Sequence, residues 1–395
     1  MTLRHAAASA ADPDQAFRAG LRQFLAEHHA GRPPKDPRER FAWTKAWLAT
    51  LFDNGYAGPG WPREFGGMEL SFAQQVIYHE EVARARVPGP LGTGVGIAAP
   101  TIIRYGTQEQ KQRWLAPMLR GDKVWAQGYS EPEAGSDLPS LRTTARRDGA
   151  EYIVNGQKIW TSHAADADVF FTLVRTGTQE SRQHGITYLV IDAHAPGVQV
   201  RPLRDLTGGH LFAEVFFDDV RVPVGDRIGE ENDGWRLART SLGHERVAGA
   251  MNQAEMYRRV LTELEELARE RGLLADALVR DQFVDLEIRV GIIRYNAQSA
   301  IRDILAKGEA GPASSISRLL ITAFEQDIHE FAIDLLGPAG LLGKSAPQAV
   351  QRSRWLHGFL RTRASTIGAG TREIQLNTVA EQVLGLPHEP GMPAR

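Results

Sequence analysis

The hydrophobic period of this chain changes twice, and the resulting order (helical, alternating, helical again) restricts the fold more than any single motif does. Over roughly the first 120 residues, apolar side chains recur at helical spacing. Phe17, Leu21, Phe24 and Leu25 do so within 14–29, and Phe41, Trp47, Leu48 and Leu51 within 38–52. Ser71-Phe-Ala-Gln74 and Thr107-Gln-Glu-Gln110 each place a Gln three residues after a hydroxyl, the pattern of a capping box. From Val124 the period shortens. Stretches 143–147, 152–159, 169–175, 186–191, 198–202 and 214–222 read as strands, the second interrupted by Asn155-Gly156, a tight-turn signal. Strands so close together, with no helix between them, predict an antiparallel sheet or barrel, not a βαβ nucleotide-binding unit. Helical spacing returns at Trp235 and holds over 235–270, 278–306, 314–336 and 373–384, with a break at Gly337-Pro-Ala-Gly340. The fold class is α+β, with a helical domain over 1–123, a central β domain over 124–234 and a helical bundle over 235–395.

Composition narrows the chemistry. The formal net charge is -2, from 46 basic and 48 acidic residues, which lacks the basic excess of a dedicated nucleic-acid binder. With no cysteine, thiolate metal sites, iron–sulfur clusters, disulfides and a Cys nucleophile are excluded. Carboxylates, hydroxyls, His, Arg or a bound cofactor must act instead. His28-His29 and His79-Glu-Glu81 lack metal-ligand spacing, so no metal site is expected. Gly92-x-Gly94-x-Gly96 follows no strand and reads as a Gly-rich helix or turn, not a phosphate loop. The longest weakly polar stretch, 91–103, is too short to span a bilayer, and the first ten residues hold no apolar signal core. Arg outnumbers Lys 39 to 7, a bias associated with high-GC bacterial genomes. The expected location is cytoplasmic, without membrane or nucleic-acid partners.

Four motifs carry a resemblance: Gly128-Tyr-Ser-Glu-Pro-Glu-Ala-Gly-Ser-Asp137, Asn155-Gly-Gln-Lys-Ile-Trp-Thr-Ser162, Phe216-Phe-Asp-Asp-Val-Arg-Val-Pro223 and Gly370-Thr-Arg-Glu-Ile-Gln375. In order and spacing, over nearly the whole chain, they resemble the acyl-CoA dehydrogenases. The resemblance implies an N-terminal helical domain, a central β-barrel and a C-terminal four-helix bundle. It also implies FAD as cofactor, an acyl-CoA substrate and electron-transfer flavoprotein as electron acceptor. By the same resemblance Gln127, Tyr129 and Ser130 flank the flavin, Gly135 belongs to the same loop, Trp160 packs on the ring and Ser162 points towards N5. Ser136 lines the pantetheine and pyrophosphate channel, while Gly370, Thr371 and Glu373 meet FAD from the C-terminal loop.

In most relatives the base is a Glu in Ile-Tyr-Glu-Gly-Thr, but here the matching stretch is Ile367-Gly-Ala-Gly-Thr371. Ala369 cannot accept a proton. Isovaleryl-type relatives keep the Glu just before an Arg in the C-terminal domain, and Leu242-Gly-His-Glu-Arg-Val247 supplies Glu245 followed by Arg246. A carboxylate held against an apolar acyl chain has its pKa raised towards working pH. The Ala369 N–H survives the substitution and remains available to the thioester oxygen. Gly368 and Ala369 leave room for a bulky or branched acyl group, and a branch of bacterial steroid-side-chain dehydrogenases is similar in these features. The flavin-reaching Arg-x-x-Phe-Gly is reduced to Arg271-Gly-Leu-Leu, and Gln-x-x-Gly-Gly becomes Asp334-Leu-Leu-Gly-Pro338. Both motifs normally reach across a subunit interface, so either the ADP end is held differently or the partner is another chain; the expected assembly is a homotetramer or an α2β2 heterotetramer. The competing readings are a non-catalytic or half-site subunit, or a flavoenzyme of this fold acting on a carrier-protein-bound acyl group or a nitroalkane.

Overall fold

The computed structural model describes residues 12–28, 31, 33–307 and 313–387, with side chains described for all of these except 240–252, 301, 304–307 and 313–314. The chain forms two compact units, Met1–Pro90 with Leu119–Asp122, and Leu91–Met118 with Lys123–Arg395.

In the first unit, α1 (Pro13–His28), α2 (Pro37–Asp53) and α3 (Phe72–Ala85) bury the spaced apolar residues Leu21, Phe24, Leu25, Trp47, Leu48 and Leu51. Asp36 caps α2 by accepting the Arg38 and Glu39 N–H groups, with Pro37 in the first turn, where its missing N–H costs nothing. Ser71 caps α3 through the Gln74 N–H at 3.3 Å. Glu81 is buried, with Arg18 at 2.5 Å and Arg22 at 2.7 Å.

The second unit opens with a π-helical turn, Gly94–Ala98, then α4 (Ala99–Tyr105) and α5 (Gln108–Arg120), whose last residues fall in the first unit. The Thr107 capping box is reciprocal: Thr107 N–H donates to Gln110 Oε1 at 3.0 Å and Gln110 N–H to Thr107 Oγ1 at 3.2 Å. Eight strands follow: β1 (Trp125–Gly128), β2 (Thr144–Asp148), β3 (Glu151–Ser162), β4 (Val169–Arg175), β5 (Ile186–Asp192), β6 (Val198–Leu203), β7 (Phe212–Pro223) and β8 (Arg227–Ile228). Their order is β6-β7-β3-β2-β4-β5-β8, with β1 on β4.

The sheet departs from the sequence expectation twice. β1 runs parallel to β4, and β2 touches β4 in parallel at one residue pair, so the sheet is mixed. The chain reaches β4 from β1 through β2 and β3, and that long connection permits a parallel pair without a helix between. Asn155-Gly156 makes no turn. It lies inside one continuous strand, opposite a bulge in β7 where Asp218 and Asp219 face Asn155 alone, and Asn155 exchanges two 2.9 Å hydrogen bonds with Asp219. A Cβ on Gly156 would lie 2.6 Å from Thr143 Cα, so glycine allows β2 and β3 to close. Val154, Phe170, Val174, Leu189, Val215 and Phe217 form the core beneath.

α6 (Gly234–Glu270), α7 (Ala277–Lys307) and α8 (Ala313–Leu336) pack together, with α9 (Arg354–Thr362) and α10 (Arg372–Gln382) against α8. Leu264, Phe283, Val290, Phe324, Ile328 and Trp355 centre this core. α6 also packs on the π-helical turn, α4 and β5. Among the described residues no helix is long and apolar enough to cross a membrane.

Candidate active site

The alternation of β3 puts Tyr152, Val154 and Lys158 inside. Lys158 is wholly buried, and its Nζ donates to Glu131 Oε1 at 2.7 Å and to the Tyr129 carbonyl at 3.1 Å. Glu131 also accepts the Arg142 N–H at 2.6 Å and the Thr143 N–H at 2.9 Å. Burial works against the Glu131 charge, but Lys158 and these donors outweigh it and hold the carboxyl below its ordinary range. Burial pushes the Lys158 ammonium down to about 8 against the pull of Glu131. A second buried cation, Arg175, donates to the carbonyls of Leu141 at 3.3 Å and Pro139 at 2.6 Å. The loop after β1 therefore rests on fixed, satisfied charge.

This clamp aligns the first two motifs. Ile159 N–H donates to the Ser130 carbonyl at 2.9 Å, so 129–131 runs beside 157–159. The register of β3 slips again between Lys158 and Thr161, and inside that bulge Trp160 takes φ 59°. Its indole is 60% exposed, with Phe212 edge-on at 6.0 Å. An indole in strained backbone with an open face is a natural wall for a planar ring. Gln127, Ser130 and Ser162 are half-buried, and their side chains find no hydrogen-bond partner among the described residues. Tyr129 is buried against Phe171 and Tyr188. Gly135 and Ser136 are exposed in a loop pinned by Glu133–Arg142 at 2.7 Å and Asp137–Arg182 at 2.5 Å.

The last motif lies elsewhere in the same unit. Gly368 and Ala369 are exposed in a turn between α9 and α10. Ala369 has φ 54°, and among the described residues its N–H finds no acceptor. Gly370 has φ 92°, where an added Cβ would meet Gln375 Nε2 at 2.5 Å. The Thr371 hydroxyl caps α10 by accepting the Ile374 N–H at 3.3 Å, and Glu373 is exposed in the first turn. Electrostatics links the two regions: Arg361 on α9 acts on His163 just past β3, whose imidazole is held low first by burial and then by that charge, against Asp166. Glu245 and Arg246 lie on α6, and their side chains lie outside the described residues. Arg271 is exposed at the far end of α6.

Two positions escaped sequence reasoning. Lys158 could have been found, because a Lys in the inward phase of a strand demands a buried anion. Arg318 on α8 donates to the carbonyls of Ser365 at 2.8 Å and Gly368 at 2.7 Å, and no sequence pattern announces contacts so distant along the chain.

Known proteins share this organisation. Residues 12–122, 126–220 and 232–384 match the N-terminal, middle and C-terminal domains of the acyl-CoA dehydrogenase family models. The chain is 37% identical to the acyl-CoA dehydrogenase IpdE1 of Mycobacterium tuberculosis, over 94% of this chain and 98% of that protein. Among solved structures, the Tcur3481–Tcur3483 steroid ACAD superposes with a TM-score of 0.84 at 31% identity, covering 98% of this chain and 100% of that one. The ChsE4–ChsE5 complex of Mycobacterium tuberculosis gives a TM-score of 0.82 at 31% identity with the same coverage. With the three domains in order and a full-length relative at this identity, the chain belongs to the acyl-CoA dehydrogenase family, whose members are flavoprotein oxidoreductases.

Proposed function

We propose that this chain holds FAD and desaturates a bulky or branched acyl-CoA thioester between Cα and Cβ, a steroid-derived acyl group being the favoured class, with Glu245 as the α-proton base. One observation carries this reading. The turn where most relatives keep their base presents an exposed Ala369, whose N–H finds no acceptor among the described residues, and no carboxylate. The proton acceptor must therefore come from elsewhere, and Glu245 stands at the family's other position.

The residues fit the cofactor. The open indole of Trp160 offers a ring wall, and the side chains of Gln127, Ser130 and Ser162, without a partner among the described residues, offer polar contacts to a flavin edge. Tyr129, Gly135 and Ser136 continue that loop, and Gly370, Thr371 and Glu373 contribute from the C-terminal turn. When bound, FAD supplies the acceptor for the β-hydride, and the protein supplies placement and charge. Glu245 takes the α-proton. The Ala369 N–H donates to the thioester oxygen as negative charge gathers there, a contribution on the order of 2.7–4 kcal/mol for such donors. Ser136 and Arg246 line the path of the CoA moiety. A Cβ added at Gly368 would meet only the Ala364 carbonyl at 3.7 Å, so space lies open beside the turn for acyl bulk. The enzyme is cytoplasmic, its domains divide at 1–123, 124–234 and 235–395, and electron-transfer flavoprotein reoxidises it.

The assembly reading rests on two further features. Arg271 lies roughly 26 residues beyond Glu245 on one helix, about 39 Å at 1.5 Å per residue, too far for both to serve one dinucleotide on one chain. Val284, Ile288, Ile292 and Tyr295 form an exposed stripe on α7, with Tyr295 71% accessible, the kind of surface that marks a subunit contact. A homotetramer or α2β2 heterotetramer satisfies both. The changed motifs at Arg271 and Asp334–Pro338 favour the heteromer, in which this chain could be the half-site partner.

Glu245→Gln decides between catalytic and half-site roles. In the assembled holoenzyme we expect turnover to fall by roughly 10²–10⁴-fold or more with unchanged flavin absorbance. Near-wild-type turnover would overturn the base assignment.

A further inference from the structure

We propose that Arg318 is a positioning residue that aims and polarises the Ala369 N–H towards the substrate's thioester oxygen. This rests on the acyl-CoA reading above. One nitrogen of Arg318, Nη2, donates to the Ser365 carbonyl at 2.8 Å and to the Gly368 carbonyl at 2.7 Å. The Gly368 carbonyl and the Ala369 N–H belong to a single peptide group, which is planar and trans, so they point in opposite directions. Fixing that oxygen therefore fixes the line along which the N–H points. The guanidinium also draws electron density towards the oxygen, and hydrogen bonds in series strengthen one another. The N–H on the opposite side of the same amide becomes a stronger donor.

Other groups hold the turn but leave this amide alone. Gly368 N–H donates to the Ala364 carbonyl at 3.0 Å, and Arg372 N–H to the Thr366 carbonyl at 3.1 Å. Gln326, also on α8, donates to the Thr362 carbonyl at 3.1 Å. Among the described residues Arg318 makes no ion pair, although Glu325 lies on the same helix and accepts the Tyr257 hydroxyl. Among the described residues its Nε is buried without a partner. A cation kept here for stability alone would satisfy that nitrogen or pair with a carboxylate. This one spends its charge on two carbonyls.

The test uses the assembled holoenzyme and a 3-thia-acyl-CoA, which can lose its α-proton but has no β-carbon from which hydride could leave. Its ionisation on the enzyme, followed by absorbance against pH, reports how well the thioester oxygen is stabilised. In Arg318→Met we expect the half-ionisation pH to rise by about one unit, a tenfold loss. We also expect kcat to fall by a similar factor, with little change in KM and with FAD retained. Arg318→Lys, which keeps one donor and the charge, should recover part of the shift, and it serves alone if the Met variant does not fold. An unchanged midpoint in the folded variants overturns the proposal, including where FAD is lost. Failure of the wild-type enzyme to ionise the probe overturns the acyl-CoA reading and this proposal with it.

Discussion

The loop after β1 and the turn before α10 carry the two halves of the proposed chemistry, yet they are built by opposite means. The first sits on buried charge: Lys158 and Glu131 neutralise each other out of water, and their remaining hydrogen-bonding capacity goes to main-chain groups. The second is exposed and leans on α8 through carbonyls, with two successive residues, Ala369 and Gly370, in left-handed conformation. A flavin edge needs a frame that does not change between turnovers. A thioester oxygen needs a donor aimed at charge that exists only transiently. Buried pairing suits the frame, and a surface turn held from one side suits the donor.

The contrast can be sharpened by substitution. Lys158→Met strands a buried carboxylate and should cost about 3–5 kcal/mol in denaturant unfolding. Adding Glu131→Gln should recover a large part of that loss, and a single variant as stable as wild type would break the contrast. Ala369→Gly relieves a left-handed alanine and should stabilise the turn by about 1 kcal/mol, read as slower hydrogen exchange at the start of α10. Faster exchange there would mean the strain is not local. Trp160→Ala should change folding stability by no more than about 0.5 kcal/mol, because the indole is mostly in water. It should nonetheless weaken flavin retention by about tenfold, measured by absorbance of the filtrate and retentate. A large stability loss would place Trp160 in the frame after all.

Much of this was legible in the sequence. The two changes of period located the helical, β and bundle regions, because burial on one face leaves a repeat that survives without coordinates. The capping hydroxyls at Ser71 and Thr107 marked helix starts through local chemistry. Asn155-Gly156 misled because the same dipeptide that favours a tight turn also fits a strand facing a bulge, and only its distant neighbours, Asp219 on β7 and Thr143 beside β2, decide which forms. The parallel seating of β1 was invisible for the same reason: pairing is non-local. Site residues were legible as far as motifs reached. Lys158 lay inside a motif yet showed its role only through its burial, and Arg318 belonged to none.

The bulge of β3 at Trp160 has a consequence of its own. In a regular strand, the direction a side chain faces follows from odd or even count, and here one inserted residue resets that count just at Trp160. The indole's outward aim is thus a matter of arithmetic along the backbone, indifferent to which side chains its neighbours carry. Point substitutions nearby can drift without turning it, and even removing Ile159 would leave the indole outward, next after the inward Lys158, while erasing the bulge that holds its backbone at φ 59°.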